Sequence, residues 1–243
     1  MEGPSLAILK DEIKHLKGLQ IIAAKGISKI DKHDLIGKTI KQFKTWGKHF
    51  LIILPDTTIR VHFLMFGSYR IDGEKSGSPQ LSLILEGGHE INLYACAIRM
   101  IDGKLGDVYD WSADVMSTRW DASRARKKLK SIKGMMISDA LLDQNIFSGV
   151  GNIIKNEVLF RVMIHPESMV EALPPRKLTA MINEARNYSF DFLRWKKKFE
   201  LKKHWLIFTK KKCPRCSTPA IKKYTGKAKR RSFFCPNCQT LYR

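Results

Sequence analysis

Two pairs of cysteines near the C-terminus constrain this chain more than any other feature. Cys213 and Cys216 form one CxxC pair, and Cys235 and Cys238 form a second after eighteen intervening residues. This spacing predicts one structural Zn²⁺ held by all four thiolates in a closed tetrahedral site. Disulfide pairing is the alternative, but it requires an oxidising compartment that nothing else in the sequence indicates.

The segment between the two cysteine pairs is rich in basic residues. A ribbon that only stabilised the C-terminus would not need this charge at the position where the chain turns. We therefore expect the ribbon to bind phosphates. The basic residues are Lys222, Lys223, Lys227, Lys229, Arg230 and Arg231.

The whole chain shares this basic character, because 44 Lys and Arg against 23 Asp and Glu give a net charge of +21 over 243 residues. Such a charge favours polyanion binding through counterion release, with nucleic acid as the leading partner. An anionic membrane surface is the alternative, but no basic amphipathic helix dominates the sequence. The chain has no apolar run of 18 residues and no basic segment typical of a signal peptide, so we expect a cytoplasmic protein.

The first hundred residues read as one helix followed by short strands. Leu6, Leu9, Ile13 and Leu16 form a helical stripe within residues 5–17, and Gly18 is a stop signal. The strands that follow are short and closely spaced, which is typical of an antiparallel sandwich or barrel. Cys96 is expected to be a buried core thiol. The predicted strands are 19–24, 39–45, 49–54, 58–66, 81–85, 90–93 and 95–100.

The second half of the chain is predicted to be helical. Residues 103–121 read as an irregular linker. Helices are then expected over 123–132, from Ser138, over 154–160 and over 176–197. The fold class is therefore α+β, with predicted boundaries at 1–104 for the β domain, 105–122 for the linker, 123–208 for the helical domain and 209–243 for the ribbon.

Three short stretches allow both an ordinary and a functional interpretation. Lys48 in Trp46-Gly-Lys48 is most simply a solvated turn residue. The segment His62-Phe-Leu-Met-Phe-Gly67 is apolar without alternation, which is compatible with a buried strand end. The turn Gly149-Val-Gly-Asn152 precedes a helix, so its amides can form an anion site or simply join two helices.

Four separated stretches, in order along the chain, resemble the formamidopyrimidine-DNA glycosylase and endonuclease VIII family of base-excision repair enzymes. The first two are weak signals on their own, whereas the last two are specific to the family. The stretches are Glu2-Gly-Pro4, Thr45-Trp-Gly-Lys48, Leu141-Leu-Asp-Gln144 through Gly149-Val-Gly-Asn152 to Ile164-His-Pro166, and Arg230-Arg-Ser-Phe-Phe-Cys-Pro-Asn-Cys-Gln239.

The resemblance implies an N-terminal β-sandwich fronted by a helix, a helix–two-turn–helix domain with a zinc ribbon, and damaged DNA bound between them by a monomer. It also implies a combined glycosylase and lyase, in which the N-terminal amine attacks C1′ of a flipped nucleoside and the resulting Schiff base leads to strand cleavage.

The resemblance further implies a role for each matching residue. The nucleophile would be the amine of Met1, and Glu2 would be the general acid and base. Lys48 would be the third catalytic residue, and together with Asn152 and Arg230 it would bind phosphates around the lesion. Three apolar residues would fill the space left by the extruded base, namely Leu64, Met65 and Phe66.

The chain departs from the family pattern at its first residues. Family members usually begin Met-Pro-Glu and expose the proline nitrogen, whereas here Met1 directly precedes Glu2. Glutamate is too large to permit removal of the initiator methionine, so we expect Met1 to stay and supply a primary amine. Phe66 and the Gly-Pro after Glu2 favour the endonuclease VIII branch, with oxidised pyrimidines as substrates. We also expect a cytoplasmic, bacterial nucleoid-associated location. A non-catalytic zinc-ribbon protein that binds DNA or RNA is the alternative.

Overall fold

A computed structural model describes residues 1–243 and divides the chain into two compact units. The first comprises Met1 and Ser5–Tyr109, and the second comprises Glu2–Pro4 and Asp110–Arg243. An antiparallel sheet dominates the first unit and helices dominate the second, so the predicted α+β class is confirmed. None of the helices combines the length and the apolar character needed to cross a membrane.

The first unit contains a helix and a six-stranded antiparallel sheet in the order β1-β5-β6-β4-β3-β2. Backbone hydrogen bonds of residues 18–21 with residues 38–40 connect the segments that lead into the two edge strands. The six strands therefore form a single sheet, and its two edge strands, β1 and β2, approach each other through these segments. The elements are α1 Gly3–Glu12, β1 Ile21–Lys25, β2 Gln42–Trp46, β3 His49–Ile53, β4 Thr57–Ile71, β5 Leu81–Leu85 and β6 Glu90–Asp102.

The apolar stripe of α1 packs into the core of this unit, as its period predicts. Leu6, Leu9 and Ile13 are fully buried with residues of all six strands. The helix ends at Glu12, earlier than expected, and a 3₁₀ turn at Lys14–Leu16 precedes Gly18, which has φ +94°. Cys96 is buried, as predicted, and its burial raises the pKa of the thiol to about 12.

The strands β4 and β6 differ from the sequence prediction because one long pairing carries a bulge. Phe63 pairs with Cys96 and Ser68 pairs with Tyr94, so residues 64–67 lie opposite Ala95 alone. Ala95 adopts φ +46° at this point, and a Cβ on Gly67 would lie 2.9 Å from the Ala95 carbonyl oxygen. The two strands predicted over 90–93 and 95–100 are therefore one strand, and β4 continues five residues beyond its predicted end.

The second unit is built from helices around a separate apolar core. Fully buried residues such as Leu129, Phe147, Val158 and Tyr188 form this core. The predicted linker contains a short helix, α2 Leu105–Val108, so it is not wholly irregular. The remaining helices are α3 Ala122–Lys130, α4 Ile137–Ala140, α5 Asn152–Arg161 and α6 Pro175–Lys197.

The chain ends in a two-stranded hairpin, β7 Ile221–Thr225 and β8 Arg230–Phe234, with the two cysteine pairs on either side of it. Phe160 at the end of α5 packs against Ile207 and Phe233, and these residues share a small cluster with Cys213 and Cys235. The apolar contacts therefore attach the hairpin to α5.

Candidate functional site

The carboxylate of Glu2 lies at the N-terminus of α5. Its Oε1 accepts a hydrogen bond from the Ile153 amide at 2.7 Å, and its Oε2 accepts one from the Ile154 amide at 3.3 Å. The first amides of a helix have no partner within the helix, and the helix dipole favours a negative charge there. These amides therefore bind an anionic group, which is the chain's own carboxylate.

The turn before α5 is shaped to receive this N-terminal segment. The Gly3 amide donates to the Gly149 carbonyl at 2.9 Å, and Gly149 itself has φ +98°. The Gln144 side chain holds the turn from the other side, because its Oε1 accepts from the Gly149 amide and its Nε2 donates to Val150. A Cβ on Gly151 would overlap the Glu2 side chain, so only glycine leaves room for Glu2 in this position.

Asn152 is the first residue of α5, immediately after the N-cap residue Gly151. Its carbonyl accepts a hydrogen bond from the Asn156 side chain at 2.7 Å. Its own side-chain oxygen is buried and has no hydrogen-bond partner. The side-chain oxygen of Asn152 therefore makes no capping hydrogen bond within the helix. The residue is half-buried and lies at the same end of α5 as Glu2.

In the first unit, Met1 and Lys48 both lie close to His62. The Met1 side chain packs on the core of this unit, and Lys48 occupies the turn between β2 and β3. The His62 Nδ1 is 3.2 Å from the Lys48 carbonyl oxygen. Burial lowers the pKa of His62, and the charges of the N-terminal amine and of Lys48 lower it further, so the ring is neutral at pH 7.

A second histidine supports this arrangement. The rings of His49 and His62 are 5.3 Å apart with edge-to-face geometry. Burial, together with the charge of Arg60, lowers the pKa of His49 to about 4. Lys48 therefore has two imidazoles with lowered pKa as neighbours, and the N-terminal amine has one, that of His62. These rings in their neutral form do not add positive charge near the two amines.

The three apolar residues of the β4 bulge are exposed, so the segment is not a buried strand end. Leu64, Met65 and Phe66 are 53%, 79% and 83% exposed, and they are consecutive. Exposed apolar side chains that project together from a strand commonly mark an interaction site.

The four cysteine sulfurs of the ribbon lie close enough to share one metal ion. The Sγ atoms are 3.4 Å apart for Cys216 and Cys238, 3.5 Å for Cys216 and Cys235, and 3.9 Å for Cys213 and Cys238. A tetrahedron with Zn–S bonds of about 2.3 Å places its sulfurs about 3.8 Å apart. A disulfide bond is about 2.05 Å long, so the cysteines are thiols and not cystines.

Arg230 is the first residue of β8 and pairs with Thr225 across the turn of the hairpin. Its side chain is exposed. Asp139 of α4 fixes this turn, because its carboxylate accepts from the Lys227 amide at 2.7 Å and from the Ala228 amide at 3.3 Å. The turn that carries the predicted phosphate-binding arginine is therefore anchored to the helical part of the same unit.

The sequence analysis missed three consecutive polar residues on α5, which are Lys155, Asn156 and Glu157. All three are buried. Lys155 and Asn156 bind strand β8, whereas Glu157 accepts hydrogen bonds from the Leu206, Ile207 and Phe208 amides at 2.8 to 3.1 Å. Their signal in the sequence is a polar triplet inside an otherwise apolar helix, which indicates partners outside the helix.

A second group of metal-binding residue types lies in the first unit. His15, Asp72 and His89 have ligand atoms within 4.8 Å of one another. The His89 Nδ1 is 3.0 Å from the Asp72 carboxylate, which also accepts a hydrogen bond from the Glu90 amide. The contacts of Asp72 thus join the end of β4 to the start of β6, next to the last residue pair of these two strands.

Comparisons with known proteins agree with this geometry. The model of the formamidopyrimidine-DNA glycosylase H2TH domain matches residues 112–188. A human protein named endonuclease 8-like 3 is 36% identical over 212 residues, which cover 81% of this chain and 34% of the human protein. An endonuclease 8-like protein of Acanthamoeba polyphaga mimivirus is 26% identical over 98% of this chain and 99% of that protein.

The fold also has solved counterparts. A structure of Lactococcus lactis formamidopyrimidine-DNA glycosylase, non-covalently bound to DNA with an AP site, covers 99% of this chain with a TM-score of 0.87 and 22% sequence identity. At 22% sequence identity, this similarity shows a shared fold and no more. The chain spans between about a third and two-fifths of the length of the vertebrate endonuclease 8-like 3 proteins that it matches.

The contact between Gly151 and Glu2 can be tested by substitution. Gly151→Ala is expected to displace Glu2 from α5 and to lower the free energy of unfolding by about 1–3 kcal/mol, because the new methyl group has no space. Urea unfolding measures the loss, and the NMR shifts of the Ile153 and Ile154 amides report the displacement.

The matched control is Gly106→Ala, since a Cβ there meets no atom within 4 Å. Its stability should change by no more than about 0.5 kcal/mol. Unchanged amide shifts in Gly151→Ala would show that the glycine is not required for the position of Glu2.

Proposed function

Because the chain belongs to the formamidopyrimidine-DNA glycosylase and endonuclease VIII family, we propose that it is a base-excision repair DNA glycosylase with AP lyase activity. The observation that carries the proposal is the Glu2 carboxylate, which two amides of α5 hold one residue after the N-terminal amine. We propose oxidised pyrimidines in DNA as the substrate class and a monomer as the active form.

The α-amine of Met1 is the nucleophile in this proposal. It attacks C1′ of the flipped nucleoside, the N-glycosyl bond breaks, and the base leaves with the bonding electrons and a proton. Opening of the sugar ring gives an imine between Met1 and C1′, and loss of a C2′ proton then expels the 3′ phosphate. An α-amine has an ordinary pKa near 8, against about 10.4 for lysine, so more of it is unprotonated at neutral pH.

Glu2 is the general acid and base of the reaction. Removing the base from a deoxyribose requires a proton at the sugar ring oxygen or the base, and a carboxyl group in reach can supply and recover it. The amides of Ile153 and Ile154 fix the position of the carboxylate before the substrate arrives. Such preorganisation avoids reorientation during the reaction.

The remaining site residues bind DNA in this proposal. Lys48, Asn152 and Arg230 contact phosphates around the lesion, and the net charge of +21 strengthens this binding without selecting a base. Leu64, Met65 and Phe66 occupy the space that the flipped base leaves, since their exposed apolar side chains can stack on the neighbouring bases. Base flipping is needed because C1′ is inaccessible inside the duplex.

Zinc is the proposed metal of the ribbon. Four thiolates with tetrahedral spacing and no oxygen ligand favour Zn²⁺ over Mg²⁺ or Ca²⁺. When bound, the ion fixes the two ends of the β7–β8 hairpin and supplies no reactive group, because all four positions are filled by protein. The ribbon then presents Arg230 from a rigid turn.

The metal can be tested directly. Protein purified without chelator is expected to contain one equivalent of zinc by elemental analysis, and Cys213→Ser should lose most of it together with DNA affinity, because metal binding supplies folding energy to the ribbon. Cys96→Ser is the control, since that thiol belongs to the other unit and should leave the zinc content unchanged. A metal-free wild-type protein with full DNA affinity would refute the zinc proposal.

The nucleophile is tested by trapping the imine with borohydride on DNA that contains an abasic site. We expect a covalent adduct, with the sugar attached to the peptide that begins at Met1 after proteolysis and mass spectrometry. The yield at short times should rise between about pH 7 and 8, as the α-amine loses its proton.

Lys48→Met is the matched control, because Lys48 is the rival amine in the first unit. This variant should bind DNA more weakly and still form the Met1 adduct. Sugar on the Lys48 peptide alone would refute the role of Met1, and the absence of any adduct would favour a non-catalytic DNA-binding protein.

A further inference from the structure

Lys155 is a lysine whose side chain is completely buried within the second unit. Its Nζ donates to the Ser232 Oγ at 2.9 Å and to the Arg231 carbonyl at 3.1 Å. Burying an ammonium group costs free energy unless its hydrogen bonds are replaced, and no carboxylate forms an ion pair with this one. A charged lysine at this position therefore lowers the free energy gained on folding.

The electrostatic surroundings of Lys155 connect it to three groups already described. Burial is the main cause of a lowered pKa of about 8; the charge of Arg230 also acts to lower the pKa, whereas Asp139 and Glu2 act to raise it. Lys155 thus lies within the electrostatic reach of the proposed phosphate-binding arginine and of the proposed catalytic carboxylate.

The contacts of Lys155 belong to a set that attaches β8 to α5. Asn156 donates to the same Arg231 carbonyl at 3.2 Å and accepts from the Phe233 amide at 2.7 Å. Ser232 also shares a hydrogen bond with Thr225 at 2.6 Å, which joins the two strands of the hairpin. The backbone directly after Arg230 is therefore fixed on α5 by side chains and not by apolar packing alone.

We propose that Lys155 is a positioning residue that holds the strand β8 on α5 and so sets where Arg230 stands relative to Asn152. Asn152 begins the helix that carries Lys155, three positions earlier, and Arg230 directly precedes the residue whose carbonyl Lys155 binds. The inference rests on the proposed function, because it concerns the two residues proposed to bind phosphates.

If the role of Lys155 were purely structural, its replacement by methionine would lower the stability of the protein. Methionine removes the desolvation cost of the buried ammonium group, and this gain offsets the loss of its hydrogen bonds to Ser232 and Arg231. Methionine has nearly the length of lysine and neither its charge nor its donors. If Lys155 serves the position of Arg230, its replacement by methionine should preserve stability and lose DNA affinity, which is a common trade at functional sites.

The test is a double-mutant cycle on the full chain with abasic-site DNA as the probe. Lys155→Met is expected to weaken binding about tenfold, with a melting temperature no lower than that of the wild type. Arg230→Ala should weaken binding and reduce the slope of log Kd against log salt by about one, since it removes one phosphate contact. In the Arg230→Ala background, Lys155→Met should cost less than about twofold more, because the two residues act through one contact.

Two further variants keep the test decisive. Lys177→Met is the matched control, since Lys177 also donates to a backbone carbonyl, that of Val162 at 2.8 Å, but this carbonyl does not belong to β8; its DNA affinity should be unchanged. Ser232→Ala removes one acceptor and keeps the lysine, so it should weaken binding about twofold to threefold even if Lys155→Met fails to fold.

The outcomes separate this inference from the proposed function. If Arg230→Ala binds as tightly as the wild type, the phosphate-binding role of Arg230 is wrong and the proposed function loses that residue. If Arg230→Ala binds weakly but the effects of Lys155→Met and Arg230→Ala simply add, the positioning role is overturned and the proposed function stands. Wild-type affinity in both Lys155→Met and Ser232→Ala also overturns it.

Discussion

The hydrogen bonds between the Glu2 carboxylate and the first amides of α5 are the interaction on which the proposed chemistry depends. They join residues about 150 positions apart and use amides that every helix leaves without partners. A carboxylate at a helix N-terminus gains about 0.3–1 kcal/mol, and up to ~2 kcal/mol where it is partly buried. Gly151 is required beside it, because any side chain there would take the place of Glu2.

The same helix also organises the C-terminal ribbon. Lys155 and Asn156 hold β8, while Glu157 accepts from three consecutive amides of residues 206–208, where charge-assisted bonds contribute about 1.5–3 kcal/mol each. The N-terminus of α5 therefore binds Glu2, the proposed general acid and base. The buried polar residues of the same helix position β8, the strand that begins with Arg230. The two proposed functions, proton transfer and phosphate binding, share a single rigid element.

The sequence predicts the parts of this structure that depend on local pattern. Cysteine spacing predicts the sulfur cluster, the apolar period of Leu6, Leu9 and Ile13 predicts the buried face of α1, and residues 81–85 are a strand with the predicted bounds. The bulge at residues 64–67 depends on its register with Ala95, a pairing that no local pattern contains. Lys155 was missed for a similar reason, because its partners are more than seventy residues away.

The central claim is that Glu2 serves the chemical step and not DNA affinity, and single-turnover kinetics of Glu2→Gln test it most directly. Glutamine keeps an oxygen that can accept from the Ile153 amide, so the N-terminal segment should stay in place. The account predicts a Kd for DNA with an oxidised pyrimidine within about threefold of the wild type and an excision rate about 10²-fold lower or more, as loss of a general acid and base requires. Excision at the wild-type rate, or a loss of affinity as large as the loss of rate, would contradict it.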